Sequence, residues 1–235
     1  MRPIGHGLAA TPASRAGVRV WRIDLTDPGQ DVEDAARCLT LEELQRADRG
    51  TPAVRRRRIL VRSALRRLLG ERLGIPPGQV PLVSDRGRPV LEGAGKRLQV
   101  SCSASVDIAL IGISSSAALG VDVQHIEDED VASATAEGWL SDWERARIER
   151  LPGADHPGAL TRAWVQKEAV LKGEGTGLLR APVTVRTPVA DRGRVGRWAL
   201  QPLPVPGRAV ACLALRQPLL RRGTWSRPVV PEVIR

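Results

Sequence analysis

Apolar positions recur along the chain with two different periods, and these divide it into strands and helices. Val18, Val20 and the run from Trp21 to Leu25 predict a first strand, closed by the turn signal Asp27-Pro28-Gly29. A helix is predicted after Thr40, with Glu42 and Glu43 in its first turn as the helix dipole favours. From Val54 to Leu73, the residues Val61, Leu65, Leu68, Leu69 and Leu73 fall on one helical face, while Arg55 to Arg58, Arg62, Arg66, Arg67 and Arg72 occupy the other. Gly74-Ile75-Pro76-Pro77 stops this helix, and Ser84 to Pro89 reads as turn-rich. Strands are predicted over Leu98–Ser103, Val106–Ser114 and Ala118–Ile126; the last places Asp122 and Gln124 on one face of the pleat. Helices follow over Glu137–Leu151 and Thr161–Gly173, the second ended by Gly173-Glu174-Gly175-Thr176-Gly177. Val183–Val185, Trp198–Val205 and Ala209–Leu215 read as closing strands, and the rest as a loose tail.

The order strand, helices, strands occurs once before residue 117 and once after it. The fold class is therefore α+β, in two halves of similar size, 1–117 and 118–215, with a tail over 216–235. No Pro- or Ser-rich linker separates the halves, so they are expected to form one body with a cleft between them. An apolar fraction of 42% excludes wholesale disorder. Six Trp stand beside no Phe and no Tyr, so aliphatic residues must fill the core and stacking platforms of Phe or Tyr are excluded. Three scattered cysteines, Cys38, Cys102 and Cys212, make no disulfide framework and fit a reducing cytosol. No apolar run reaches the roughly 18 residues of a membrane span, and the first residues open no secretory signal, so a cytoplasmic protein without membrane contact is expected.

Two segments carry candidate chemistry. In Trp164-Val165-Gln166-Lys167-Glu168-Ala169-Val170-Leu171-Lys172-Gly173, Glu168 and Lys172 lie four apart on a helix and face each other. Alone, such a pair is an ordinary surface ion pair worth about 0.3–0.5 kcal/mol. Lysine usage argues for more: of 36 basic residues only Lys96, Lys167 and Lys172 are lysines, so a compact ammonium is wanted where Arg would otherwise stand. In Leu119-Gly120-Val121-Asp122-Val123-Gln124, an Asp in an apolar strand needs a partner. Alone it reads equally well as a strand-end Asp held by backbone amides or as a metal ligand. Taken with Glu168, two hard carboxylates and the neutral amide of Gln124 suit Mg²⁺. No His/Cys cluster has the spacing of a zinc site.

Together these segments resemble the 4′-phosphopantetheinyl transferase superfamily, in its surfactin-synthetase-activating type. The family's Gly-[Ile/Val]-Asp-[Ile/Val]-Glu motif is matched by Gly120 to Gln124, and its Trp-x-x-Lys-Glu-[Ala/Ser]-x-x-Lys motif by Trp164 to Lys172. Upstream, Gly87-Arg88-Pro89 looks like its Gly-[Lys/Arg]-Pro element and Ser101-Cys102-Ser103 like its Ser-His-Ser element. The similarity runs from about Arg57 to Leu178, and the two later motifs are the specific ones. The resemblance implies two pseudo-symmetric α/β halves, a monomer, and transfer of the phosphopantetheine arm of coenzyme A to a serine of an apo acyl- or peptidyl-carrier protein, with release of 3′,5′-ADP. Such carriers serve fatty-acid, polyketide and nonribosomal-peptide synthesis. It further implies Mg²⁺ held by Asp122 and Glu168, with Gln124 at the usual third acidic position. Asp122, Glu168 and Lys172 would be the catalytic residues, with Glu168 or a water it orients taking the serine proton. Lys167 and Lys172 would bind phosphate oxygens, and Arg57, Arg88, Ser101 and Cys102 would line the nucleotide end of coenzyme A.

Two positions depart from the family pattern. Cys102 replaces a His that would donate a charged hydrogen bond to the 3′-phosphate, and Gln124 replaces a carboxylate. These leave open a degenerate coenzyme A-binding relative with little activity. The net charge of +10 leaves open, as a different class, a basic nucleic-acid-binding protein, although no zinc-finger or RNA-binding signature accompanies it. On the transferase reading the charge has another use, since Arg62, Arg66 and Arg67 would present a basic surface to an acidic carrier protein. His125 is expected as a solvated strand-end histidine, and Trp164 as the residue that packs its helix on the sheet.

Overall fold

The computed structural model describes residues 17–85, 87–127, 130–176, 179–217 and 231–234, so the opening of the chain and residues 218–230 of the expected tail lie outside the described residues. The N-terminal half runs β1 (Val18–Asp24), α1 (Val32–Ala36), α2 (Leu41–Ala47), α3 (Pro52–Leu73), β2 (Leu82–Asp85), β3 (Arg88–Leu91), β4 (Gln99–Ser105) and β5 (Ile108–Ser114). The C-terminal half runs β6 (Leu119–His125), α4 (Val131–Ala136), α5 (Asp142–Ile148), α6 (His156–Glu174), β7 (Gly193–Val195), β8 (Trp198–Pro202) and β9 (Ala209–Arg216). A last strand, β10 (Glu232–Ile234), returns to the first half. One sheet has the order β10-β1-β5-β4, a second β6-β9-β8-β7, and β2 with β3 forms a separate hairpin.

The layers follow from the side-chain alternation of β5, every residue of which is buried. Ala109, Ile111 and Ile113 face a core under α3, whereas Ile108 and Leu110 face Leu119, Val121 and Val123 of β6. On the far side of β6, Gly120 meets α6. The order is thus helix, sheet, sheet, helix, with the two halves joined face to face. The expected α+β class is what the chain adopts.

Several elements differ from expectation. The stretch read as turn-rich is the β2–β3 hairpin, in which Asp85 pairs with Arg88. Residues Pro182–Thr184 form a single 3-10 turn and not a strand. The tail is not loose throughout: β10 pairs in parallel with β1, and Arg19 grips Glu232 through Nε at 3.0 Å and Nη2 at 2.9 Å.

Helix α3 begins at the Thr51 cap and Pro52, and ends where Gly74 takes the left-handed conformation at φ 70°. Its apolar face is as predicted, but Arg66 lies on it, only 1% exposed. Its guanidinium satisfies Glu43 at 2.8 Å and the carbonyls of Pro77 and Val80 at 3.0 and 3.1 Å. Arg62 pairs with the other oxygen of Glu43, and Arg67 with Asp34. The expected basic docking surface at Arg62, Arg66 and Arg67 is therefore corrected in part: Arg66 is buried and Arg62 largely so, both on Glu43, while Arg67 stays exposed beside Asp34. Arg55 bonds Asp48, and Arg56 and Arg58 donate to backbone carbonyls, which fixes their orientation and leaves their charge.

Helix α6 crosses β6 at two glycines. A Cβ on Gly120 would run into the Ala169 carbonyl and come within 2.6 Å of the Gly173 amide. Both obstacles are backbone and cannot rotate away. Gly120→Ala is therefore expected to cost about 3 kcal/mol or more, at the upper end of overpacking effects, and chemical denaturation of the purified variant checks it.

Candidate active site

The two halves meet along an unusual seam. Among the described residues the outward amides of β6 have no backbone ladder partner; instead Val121, Val123 and His125 donate to the hydroxyls of Ser101, Ser103 and Ser105 at 3.0, 3.3 and 3.2 Å. Serines at every second residue of β4 thus replace a backbone ladder and satisfy buried donors. The same alternation turns Cys102 the other way, into the core beneath α3. Burial pushes its thiol up to about 11, with Arg62 and Lys172 offsetting only part of this. Cys102 is thus a neutral packing residue, and Ser101, 3% exposed, is occupied by the Val121 amide. The structure sets neither among the charged groups of the seam.

Ser103 is different, because it joins the strands to the charged cluster. Its hydroxyl donates to Asp122 Oδ1 at 2.6 Å and accepts from Lys172 Nζ at 3.0 Å. Lys172 Nζ also reaches Asp122 Oδ1 at 2.5 Å. Asp122 is 3% exposed, and its Oδ2 is buried with no partner among the described residues. Glu168 sits one turn before Lys172 on α6, and its Oε1 is likewise buried and unpartnered. Burial raises the Glu168 pKa above the ordinary carboxylate value; Lys172 opposes this and the nearby charge of Asp122 adds to it. Trp164, Glu168 and Lys172 form a half-buried stripe along α6, much of whose remaining length is buried.

Gln124 stands half-buried two residues further along β6, on the same side as Asp122. Arg88 crosses from β3 to the other half, its guanidinium lying against Gly175, the left-handed cap of α6 at φ 74°. Burial lowers its pKa, and Asp85 counters this. Arg57 is half-exposed on the second turn of α3, with no hydrogen bond or ion pair to the carboxylates. His125 closes the seam between Ser105 and Asp107, at 3.2 and 3.1 Å, in place of the solvated position expected. Trp164 packs edge-on against Trp139 at 5.2 Å, in a cluster beside α4 and α5 and not on the sheet.

Lys167 is the clear correction. It was expected to bind phosphate, yet its side chain is 0% exposed and donates to Glu144 at 2.8 Å, Val185 O at 2.7 Å and Pro182 O at 3.1 Å. Glu144 also accepts from the Thr187 amide and hydroxyl and from Ser141. Every donor of the ammonium is used, so the group is a structural post one residue before Glu168.

Two buried carboxylate oxygens without partners, with a half-buried amide alongside, fit a hard divalent cation. Asp122, Glu168 and Gln124 are the residues that would hold it. Among the described residues no group of three His, Cys, Asp or Glu side chains could hold a metal, so further ligands would come from water or substrate. Ser103→Ala is expected to leave the fold intact and to slow turnover about 10- to 100-fold at saturating substrate, as loss of a ligand-orienting partner does; steady-state kinetics check it.

The seam thus sets two buried carboxylates and a lysine between the halves of an α+β chain. The family model described as the 4′-phosphopantetheinyl transferase superfamily matches residues 118–198, the segment that contains Asp122, Glu168 and Lys172. The chain is 32% identical over 167 residues to 4′-phosphopantetheinyl transferase HetI of Nostoc sp., covering 69% of this chain and 70% of that one. It is 29% identical over 143 residues to the Synechocystis sp. protein named "Putative 4′-phosphopantetheinyl transferase slr0495", covering 60% of this chain and 58% of the relative. The chain belongs to the 4′-phosphopantetheinyl transferase superfamily.

Proposed function

We propose that this chain moves the phosphopantetheine arm of coenzyme A to a serine of an apo carrier protein, with Mg²⁺ held by Asp122 and Glu168. The observation that carries this reading is the pair of buried, unpartnered oxygens, Asp122 Oδ2 and Glu168 Oε1, facing the seam in a chain of this superfamily. Bound there, Mg²⁺ would neutralise charge on the pyrophosphate. Lys172 lies beside Asp122 and supplies a compact positive charge to the phosphate oxygens. Arg88 brings a guanidinium from the opposite half to the end of the same helix, where it suits the nucleotide end of coenzyme A. The serine oxygen attacks the β-phosphorus, its proton passes to Glu168, whose raised pKa suits the task, and 3′,5′-ADP departs. Ser103 holds Asp122 and Lys172 in register throughout.

The two halves within one chain agree with the surfactin-synthetase-activating type. The reading further implies a soluble cytoplasmic enzyme; among the described residues no helix is long and apolar enough to cross a membrane. The test is labelling of apo carrier proteins from fatty-acid, polyketide and nonribosomal-peptide systems with a fluorescent coenzyme A. Labelling that needs Mg²⁺ and is abolished by EDTA is expected. Labelling that persists undiminished in EDTA would remove the metal from the mechanism.

A further inference from the structure

A separate cavity of about 590 Å³ lies wholly within the C-terminal half, between the last turn of α6, the β7–β8 hairpin and the end of β9. None of its lining residues belongs to the carboxylate cluster or to the N-terminal half. Among the described residues five arginines line it, Arg180, Arg186, Arg194, Arg197 and Arg216, with one acidic residue, Glu174. That carboxylate is already taken, because Arg180 Nη1 reaches both of its oxygens at 2.7 and 2.8 Å. Among the described lining residues the other four arginines have no acidic neighbour, which concentrates positive charge around the cavity.

Elsewhere several arginines have a carboxylate partner. Arg62 and Arg66 share Glu43, Arg67 takes Asp34, Arg145 takes Asp142 and Glu149, and Arg162 takes Asp191. Around the cavity, Arg180 alone has such a partner among the described residues. Arg197 gives Nη2 to the Gln217 carbonyl at 3.1 Å but keeps a buried Nε without a partner. Among the described residues Arg186 leans on the Trp143 ring, at 5.7 Å, and has no ion pair.

We propose that this cavity binds a small molecule carrying two or more phosphate groups. Guanidinium forks match phosphate oxygens in pairs, and several of them around one space favour a multiply charged anion over a single carboxylate. The volume falls within the range of about 300–1,000 Å³ typical of small-molecule sites, far more than one inorganic phosphate fills. The chemistry is shared by inorganic pyrophosphate and nucleoside polyphosphates. The site does not depend on the transferase reading, because none of its residues takes part in the proposed transfer.

The test is isothermal titration of the full chain at low salt, without Mg²⁺, using pyrophosphate and ATP as separate probes. Wild type, Lys172→Ala and the double variant Arg194→Ala/Arg216→Ala are compared; Arg194 and Arg216 are both exposed, so their removal spares the core. One-to-one binding that survives Lys172→Ala and weakens about tenfold or more in the double variant is expected. Equal affinity for the two probes would assign recognition to the phosphates alone, and tighter ATP binding would add the nucleoside. The proposal is overturned if neither probe binds, if the double variant binds as well as wild type, or if Lys172→Ala abolishes binding.

Discussion

Glu168→Gln is expected to lower the transfer rate by about 100- to 1,000-fold while the protein stays folded. The substitution keeps the shape of the side chain and removes only its charge, and with it a hard ligand and a proton acceptor. The fold should not suffer, because Oε1 of Glu168 makes no hydrogen bond among the described residues, and burial together with Asp122 outweighs the attraction of Lys172 for its charge. An unchanged or slightly raised melting temperature should therefore accompany the lost activity. Release of 3′,5′-ADP, followed chromatographically, reads the first effect, and differential scanning calorimetry reads the second. A variant that kept near-normal rates would show that Glu168 is a spectator.

Lys167→Ala should do the reverse, losing stability first. It leaves Glu144, whose side chain is 0% exposed, charged and without its ammonium partner. Breaking one side of a buried pair costs about 3–5 kcal/mol, which for a chain of this size lowers the melting temperature by about 6–20 °C. Part of the loss should return when Glu144→Gln is added to Lys167→Met, because the buried charge is then gone, although the bonds of Glu144 to Thr187 and Ser141 are weakened as well. The pH dependence has a definite sign. Burial alone would raise the Glu144 pKa, but the hydrogen bonds from Lys167, Ser141 and Thr187 prevail and hold it below the ordinary value. Stability from this carboxylate is thus complete above the unfolded value of about 4.3, and fades as pH falls through the lower folded value. The advantage of wild type over Glu144→Gln should accordingly shrink below about pH 4, a trend that denaturation at several pH values measures.

The contrast between Glu168 and Lys167 shows how far the site was legible. Glu168 and Lys172 are four apart and share a face, whereas Lys167 and Lys172 are five apart, and at 3.6 residues per turn this puts about 140° between them. They cannot point into the same site, a conclusion already available from spacing alone. The partner of Lys167 also left a trace, since Ser141-Asp142-Trp143-Glu144 is a capping-box pattern and the box is present at the start of α5. What local pattern could not show is that the same carboxylate continues inward to Lys167 and Thr187, which lie 23 and 43 residues away.

Similar reasoning covers the remaining differences. Ser103 was visible as one of three serines at alternate positions, but its partners lie 19 and 69 residues away in the chain, at Asp122 and Lys172. Arg66 looked solvent-facing because a charged residue on a helix usually is; the segment from Pro77 to Val80 instead offers it carbonyls that would otherwise be buried without donors. Strand β10 has three residues, and its parallel pairing with β1 brings together segments about 210 residues apart, a contact that no local periodicity reports. The long helix α3, the seven-residue β6 and the Gly120-to-Gln124 and Trp164-to-Lys172 segments were legible because their signals are local and periodic.

The most direct measurement is intact-mass spectrometry of an apo carrier protein incubated with coenzyme A, Mg²⁺ and either wild type or Glu168→Gln, with a carrier whose acceptor serine is replaced by alanine as control. A mass gain equal to one phosphopantetheine arm, seen with wild type and absent both with Glu168→Gln and with the serine-less carrier, is the predicted result. An equal gain with Glu168→Gln, or none with wild type on any carrier tested, would contradict the assignment of Asp122, Glu168 and Lys172 as the centre of transfer.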